Sequence, residues 1–447
     1  MLISIIGYWL TLLFGTIYSM ITNPIDFICN DLLNEANLSK DRIAMRSLGP
    51  PTKSCPYIVM INGPDSATLQ TVISGRDPEL RKPLEVFIIM FGDTKNSITS
   101  VSFLTDVTHG LEKRQSIKHL ISKHKLVELR PIVDALLNKH FSDWTKPASV
   151  NDLSSKFVFD FFGKIIGFDN VPFEAVSMYE EVENRVIYDA PPWFGWLPLT
   201  LSQWRYRNTA KTYQREFIPK LFKNNTESIL RGENYTYTIM KEMAEKIGGL
   251  PSDYINDPSV MTSPSLFLAT GNLVSLISFS FFILFDKSNS SIKERLFSEL
   301  QSAKNFDEIK RLPYTDKVYK ELLRYISPAN LISRYTSKNL VFGDKTINKG
   351  SYMMVSLKSI LHDEKQWDNP ERFNPDRVIP KHLIYPFIPF STGERMCPGV
   401  QVTEMVFKQF LYFLKDYNFI SNDNPSIPIR DPVIRLDKKY TGYLVSL

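Results

Sequence analysis

The run Phe390-Ser391-Thr392-Gly393-Glu394-Arg395-Met396-Cys397-Pro398-Gly399 gathers a sulfur, a guanidinium and two glycines in one short stretch. A thiolate is the form of cysteine that attacks electrophiles and binds metals, and it must be kept ionised, shielded from oxidants and rigidly presented. Gly393 and Gly399 permit a tight loop whose backbone can approach a flat ligand closely. An apolar pattern at helical spacing follows through Val402, Met405, Val406, Phe410 and Leu414. A helix therefore starts just beyond Cys397 and turns its amides and the positive end of its dipole towards the sulfur. Arg395, two residues before the cysteine, suits an anionic carboxylate on that ligand.

The other two cysteines, Cys29 and Cys55, lack such a setting. With no CxxC and no paired spacing they indicate neither a disulfide framework nor a structural zinc site, and a reducing compartment fits best. Hydrophobic residues make up 43% of the 447-residue chain and charged residues 23%, which is globular composition and excludes disorder. The net charge is +5, with Lys and Arg scattered among 48 acids. No basic footprint for a nucleic acid is present.

A second constellation lies upstream, in Leu312-Pro313-Tyr314-Thr315-Asp316-Lys317-Val318-Tyr319-Lys320-Glu321-Leu322-Leu323-Arg324. Glu321 and Arg324 are three residues apart and share one helical face. Alone, such a pair is a common solvated ion pair. Phe390, Gly393, Arg395, Cys397 and Gly399, however, match in full the F-x-x-G-x-R-x-C-x-G signature of the haem-thiolate monooxygenases, a match expected by chance with probability on the order of 10⁻⁴. On these residues the chain resembles the cytochrome P450 family, and the Glu321/Arg324 pair resembles that family's K helix.

The resemblance implies a mainly α-helical, triangular P450 fold with a small β region, spanning residues 22–447 as one haem domain. It implies a non-covalent haem b with Cys397 as axial iron ligand, and Phe390, Gly393, Arg395 and Gly399 in the loop that holds the cofactor. Arg334, after the K helix, and Lys118 or Lys113, near the expected C helix, are implied as propionate partners. Arg372, in Asn369-Pro370-Glu371-Arg372-Phe373, is implied as third member of a buried structural network with Glu321 and Arg324. The resemblance further implies a cytochrome P450 reductase-type electron donor carrying electrons from NADPH, for which a basic face over residues 113–125 would suit docking.

The elements that must position these groups are partly legible. Residues 1–21 carry no charged side chain and meet the length and apolarity of a transmembrane anchor, a cleaved signal peptide or a helix lying in the interface being the alternatives; with an anchor, the resemblance implies a haem domain on the cytoplasmic face of an endoplasmic-reticulum-type membrane. Residues 23–33 open as a helix, with Asn23 as cap and Pro24 in the first turn. A weak likeness of residues 23–27 is to the family branch of sterol demethylases, bile-acid hydroxylases and prostacyclin synthase. Helical periodicity runs over residues 116–141 and Val150–Ile166, and strand character over Tyr57–Ile61, residues 339–342, Tyr352–Ser356 and residues 443–446. Residues 264–285 hold no charge. Thr270, Asn272, Ser275, Ser278 and Ser280 argue for a long helix buried in protein and lining something polar. The aromatic loop at 191–198 would be costly to expose; it dips into the headgroup region or packs on its own core.

In this long helix the sequence departs from the family. Aligning Thr270-Gly271-Asn272-Leu273-Val274-Ser275 with the motif that passes protons to dioxygen puts Leu273 and Val274 at the acid and alcohol. Neither relays a proton. Two readings follow: a monooxygenase in which Thr270, Asn272 or Ser275 holds a relay water, or a reductase-independent isomerase or dehydratase of an oxygenated lipid. A non-catalytic haem-binding protein is the third. The substrate expected is a lipophilic small molecule such as a sterol or fatty acid. It would enter from the membrane near residues 193–197 and be lined by Thr270, Gly271, Val274, Ser275, Ala329, Asn330 and Leu331.

Overall fold

The computed structural model describes residues 32–38, 42–47, 57–62, 80–81, 121, 123–188, 208–209, 211–257, 259–261, 263–342, 344–379, 387–393, 396–421, 436 and 438–447. Its helices in these stretches are α1 (Leu33–Leu38), α2 (Lys123–Leu137), α3 (Val150–Ile166), α4 (Phe173–Tyr188), α5 (Ile218–Leu230), α6 (Tyr235–Ile247), α7 (Thr270–Leu284), α8 (Ser290–Gln301), α9 (Phe306–Ile309), α10 (Pro313–Ile326), α11 (Leu357–Leu361) and α12 (Val400–Leu414). The strands are β1 (Ile43–Ser47), β2 (Tyr57–Ile61), β3 (Leu80–Arg81), β4 (Ala148–Ser149), β5 (Leu331–Thr336), β6 (Leu340–Phe342), β7 (Lys345–Ile347), β8 (Tyr352–Ser356), β9 (Tyr417–Ser421) and β10 (Thr441–Ser446). Residues 1–31, with the expected anchor and the helix at 23–33, lie outside the described residues, as do 101–120 and 189–207 with Lys113, Lys118 and the aromatic loop. Among the described residues no helix is long and apolar enough to cross a membrane.

The strands form a five-stranded sheet in the order β1-β2-β8-β5-β3, a three-stranded sheet β4-β10-β9 and the hairpin β6-β7. Strands β2 and β8 run parallel in register, Ile58 beside Tyr352 and Val59 beside Met353. Because side chains alternate across a strand, Val59, Ile61, Met353 and Val355 enter one apolar cluster while Ile58, Met60, Tyr352 and Met354 enter another. Burial on both faces explains why Tyr57–Ile61 reads as an unbroken apolar run.

Helix α7 is the axis of the helical body. Phe281 on it lies 5.4 Å from Trp144, 5.3 Å from Phe410 and 5.1 Å from Phe419, ring centre to ring centre. The expected long helix over 264–285 is corrected in two respects. Residues Ser263–Ala269 form a 3₁₀ segment, and the α-helix begins only at Thr270. Most of its polar side chains do not line a polar space. Thr270 Oγ1 donates to the Phe267 carbonyl, Ser275 Oγ to Gly271 at 2.9 Å, Ser278 Oγ to Ser275 and Ser280 Oγ to Leu276 at 2.6 Å. Such back-bonding lets a hydroxyl sit inside an apolar core.

Helix α10 starts at Pro313, which suits a first helical position because it has no N–H to leave unsatisfied. The Glu299 carboxylate of α8 caps it, accepting from the Tyr314 amide at 2.9 Å and the Thr315 amide at 2.6 Å. An anion at this positive helix end is stabilising. The helix closes on Ser327, left-handed at φ 47°.

Candidate haem-thiolate site

Cys397 lies at the mouth of α12, and its loop is closed by the backbone. The Cys397 amide donates to the Phe390 carbonyl at 2.9 Å, the Met396 amide to Gly393 at 3.1 Å, and the Ser391 amide to Ile388 at 2.9 Å. Gly393 sits at φ 73°, which only glycine adopts without strain. Ser391, which the sequence pattern did not single out, also takes a left-handed φ of 61°. The Gly399 amide donates to Cys397 Sγ at 3.4 Å, and a Cβ built on Gly399 would stand 3.6 Å from the sulfur. Cys397 is in no disulfide and is half-buried. An amide donor on the sulfur at a helix start favours the thiolate form. Arg395 lies outside the described residues.

The loop before this turn is locked by a buried ion network. Glu321 is 5% and Arg324 1% exposed. Arg324 Nε donates to Glu321 Oε2 at 2.8 Å and Nη2 to Oε1 at 2.9 Å, with further donations to the Leu361 and Pro370 carbonyls at 2.9 and 2.8 Å. The third member is Arg377, not Arg372. Arg377 Nε reaches Glu321 Oε1 at 3.4 Å, its Nη2 donates to the carbonyls of Asn369 at 3.0 Å and Arg372 at 2.8 Å, and its Nη1 donates to Asp368. The Arg372 side chain is exposed, so this residue contributes its carbonyl alone. The sequence offered a signal: Pro375-Asp376-Arg377 repeats Pro370-Glu371-Arg372 five residues on, and the second copy is the one that turns inward.

The candidate proton-relay and pocket residues are sorted by accessibility. Where α7 begins, Ala269 just before it and Asn272 on it are exposed, whereas Thr270, Gly271, Leu273, Val274 and Ser275 are buried. Asn272 is therefore the accessible polar side chain at this end of the helix, and the hydroxyls of Thr270 and Ser275 are committed to the backbone. Ala329 and Leu331 keep partial exposure while Asn330 is buried. Arg334, on β5 beside Met353, is 3% exposed and donates from Nη1 to the Ser333 carbonyl at 2.9 Å.

The family profile described as Cytochrome P450 matches residues 57–441, most of the chain. The chain belongs to the cytochrome P450 family. Among its P450 relatives, cytochrome P450 2D10 of Mus musculus is 30% identical over 207 residues, covering 43% of this chain and 40% of that protein. Cytochrome P450 2C11 of Rattus norvegicus is 36% identical over 118 residues, 25% of this chain and 23% of that one. Ent-sandaracopimaradiene 3-hydroxylase of Oryza sativa subsp. japonica is 26% identical over 310 residues, 65% of this chain and 59% of that protein. These alignments span less than two thirds of the relatives' lengths. The fold extends further than the sequence likeness: retinoic acid-bound cyanobacterial CYP120A1 superposes with a TM-score of 0.72 over 93% of this chain and 96% of that one, at 18% identity.

Membership of the P450 family implies a haem, and the residues of this P450 fit one. The sulfur accepts an amide hydrogen bond, Cys397 as a residue is half-buried, and the loop backbone that carries it is fixed by three hydrogen bonds. Cys397 would hold the iron, and Arg334 offers a buried guanidinium suited to a carboxylate.

Proposed function

We propose that this P450 is a haem-thiolate monooxygenase acting on a lipophilic small molecule of sterol or fatty-acid character. In the overall reaction one atom of dioxygen enters a substrate C–H bond and the other leaves as water, with two electrons from NADPH delivered through a reductase partner and two protons from solvent. Haem b bound through Cys397 would supply the centre at which dioxygen is activated, the thiolate pushing electron density onto the metal as throughout the family. Arg334, Arg395 and Lys118 are the proposed propionate partners.

The observation that carries the reading is the accessible carboxamide of Asn272 on a helix whose other residues, apart from the half-buried Phe282, are buried. An amide both donates and accepts, so Asn272 can order a water and hold a proton path open where the family's usual acid and alcohol stand. Thr270 and Ser275 do not compete for that water with their protons, which the backbone takes. The rice relative named as a hydroxylase supports oxygen insertion. The anchor proposed for residues 1–21 would hold the domain at an endoplasmic-reticulum-type membrane from which such a substrate partitions.

The burial of Leu273 and Val274 favours one second reading, a reductase-independent isomerase or dehydratase of an oxygenated lipid. The two separate in a paired assay: a reductase with NADPH and a sterol and fatty-acid panel, against a lipid hydroperoxide or endoperoxide without electrons. NADPH-dependent oxygenated product is expected, falling about 10²-fold in Asn272→Leu with the haem spectrum unchanged. Turnover in the peroxide arm alone would overturn the monooxygenase reading.

A further inference from the structure

Ser391, in the turn before the cysteine, carries two independent penalties. Its backbone is left-handed at φ 61°, a region that a residue with a Cβ enters only at a cost. Its Oγ is buried and has no hydrogen-bond partner among the described residues, which costs the hydroxyl its hydration without a replacement. A glycine would remove both penalties at once. Gly393, two residues further on at φ 73°, shows the same turn meeting a left-handed demand with glycine. The buried hydroxyls of α7 bond the carbonyls three or four residues behind them, whereas Ser391 lies outside the helices. A residue that breaks two local rules at one position points to a use for its side chain.

The backbone places this hydroxyl in the cofactor loop. The Ser391 amide donates to the Ile388 carbonyl at 2.9 Å, and the carbonyl of its neighbour Phe390 accepts from the Cys397 amide at 2.9 Å. Ser391 is thus pinned one peptide away from the group that receives the cysteine amide. The chemistry of haem b narrows what the hydroxyl can meet there. Its pyrrole nitrogens are taken by the iron and the rest of its rim is hydrocarbon, so the acceptors it offers a protein are its two propionate carboxylates. An O–H donated to a carboxylate is a short, charge-assisted bond.

We propose that Ser391 is a cofactor-binding residue, its hydroxyl donating to a haem propionate and its left-handed backbone holding that hydroxyl in place. The proposal rests on the haem-thiolate reading and deepens it, adding a neutral donor to the buried guanidinium of Arg334. The serine is kept at a position where glycine would be easier because the hydroxyl is needed once the carboxylate is bound.

The test follows haem loss from the haem-loaded full chain to an excess of apomyoglobin. Wild type, Ser391→Ala and Ser391→Gly are each loaded with haem b and, separately, with haem dimethyl ester, whose propionates are neutral. With haem b, both variants are expected to release the cofactor about 10-fold faster than wild type. With the dimethyl ester the three rates are expected to converge. Haem b loss from Ser391→Ala at the wild-type rate would overturn the proposal. So would faster loss in Ser391→Ala but not in Ser391→Gly, which would assign the effect to the backbone, or an acceleration undiminished with the dimethyl ester. A wild type that takes up neither haem would overturn the haem reading itself, before any variant is compared.

Discussion

At the scale of single residues, the Glu321–Arg324–Arg377 network makes unequal demands on two arginines five residues apart. Arg377 is 8% exposed at its side chain and meets Glu321 together with three backbone carbonyls. Its removal leaves a buried carboxylate undercompensated, a loss of about 3–5 kcal/mol. Arg372→Ala deletes only a solvated side chain and is expected to stay within about 0.5 kcal/mol of wild type. Urea unfolding of Arg377→Ala and Arg372→Ala measures the difference, and equal losses would contradict the assignment. The Pro-acid-Arg pattern was visible in the sequence, but which copy faces inward depends on the turn at Asn369, which takes a left-handed φ of 45°. No periodicity announces such a turn. The cysteine loop was legible in far greater detail, because glycine placement and a helix start are local features that sequence spacing encodes directly.

At the scale of elements, His362 joins α11 to the end of α10 and to the loop that carries the network. Its Nε2 lies 3.1 Å from the Arg324 carbonyl and 3.2 Å from that of Tyr325, and its Nδ1 2.8 Å from the Glu371 carboxylate. Burial holds the imidazole pKa below its ordinary value; the contact with Glu371 opposes this, while Arg324 and Lys358 add to it. The unfolded chain therefore binds a proton more readily than the folded one. Stability from this group is present above about pH 6.5, is lost as the pH falls through that value, and levels off once the folded imidazole is also protonated. In His362→Gln the unfolding free energy should fall less steeply than in wild type over that acid window. An identical pH slope in the two proteins would contradict the account. Elements were legible where a helical period or a short apolar run stands out: Val150–Ile166 and Tyr352–Ser356 have the bounds their patterns predict. Residues 264–285 misled because an uncharged run has no polar face to show where a 3₁₀ segment gives way to an α-helix, and serines that bond their own backbone resemble serines that line a cavity.

At the scale of the whole molecule, α10 packs on α7 and α12 of the helical body and, through Glu321 and Arg324, ties the segment that leads towards the sulfur. Long-range pairing of β2 with β8 joins segments nearly 300 residues apart, beyond the reach of any local pattern. The family likeness supplied that architecture, and the chain's own contacts show which residues carry it. The account turns on Cys397 binding the haem iron as a thiolate. Its most direct test is the spectrum of the reduced, carbon monoxide-bound protein, wild type beside Cys397→Ser. A thiolate-type band in wild type that is lost in Cys397→Ser is the expected result; an imidazole-type band that survives the substitution, or a protein that takes up no haemin, would contradict it.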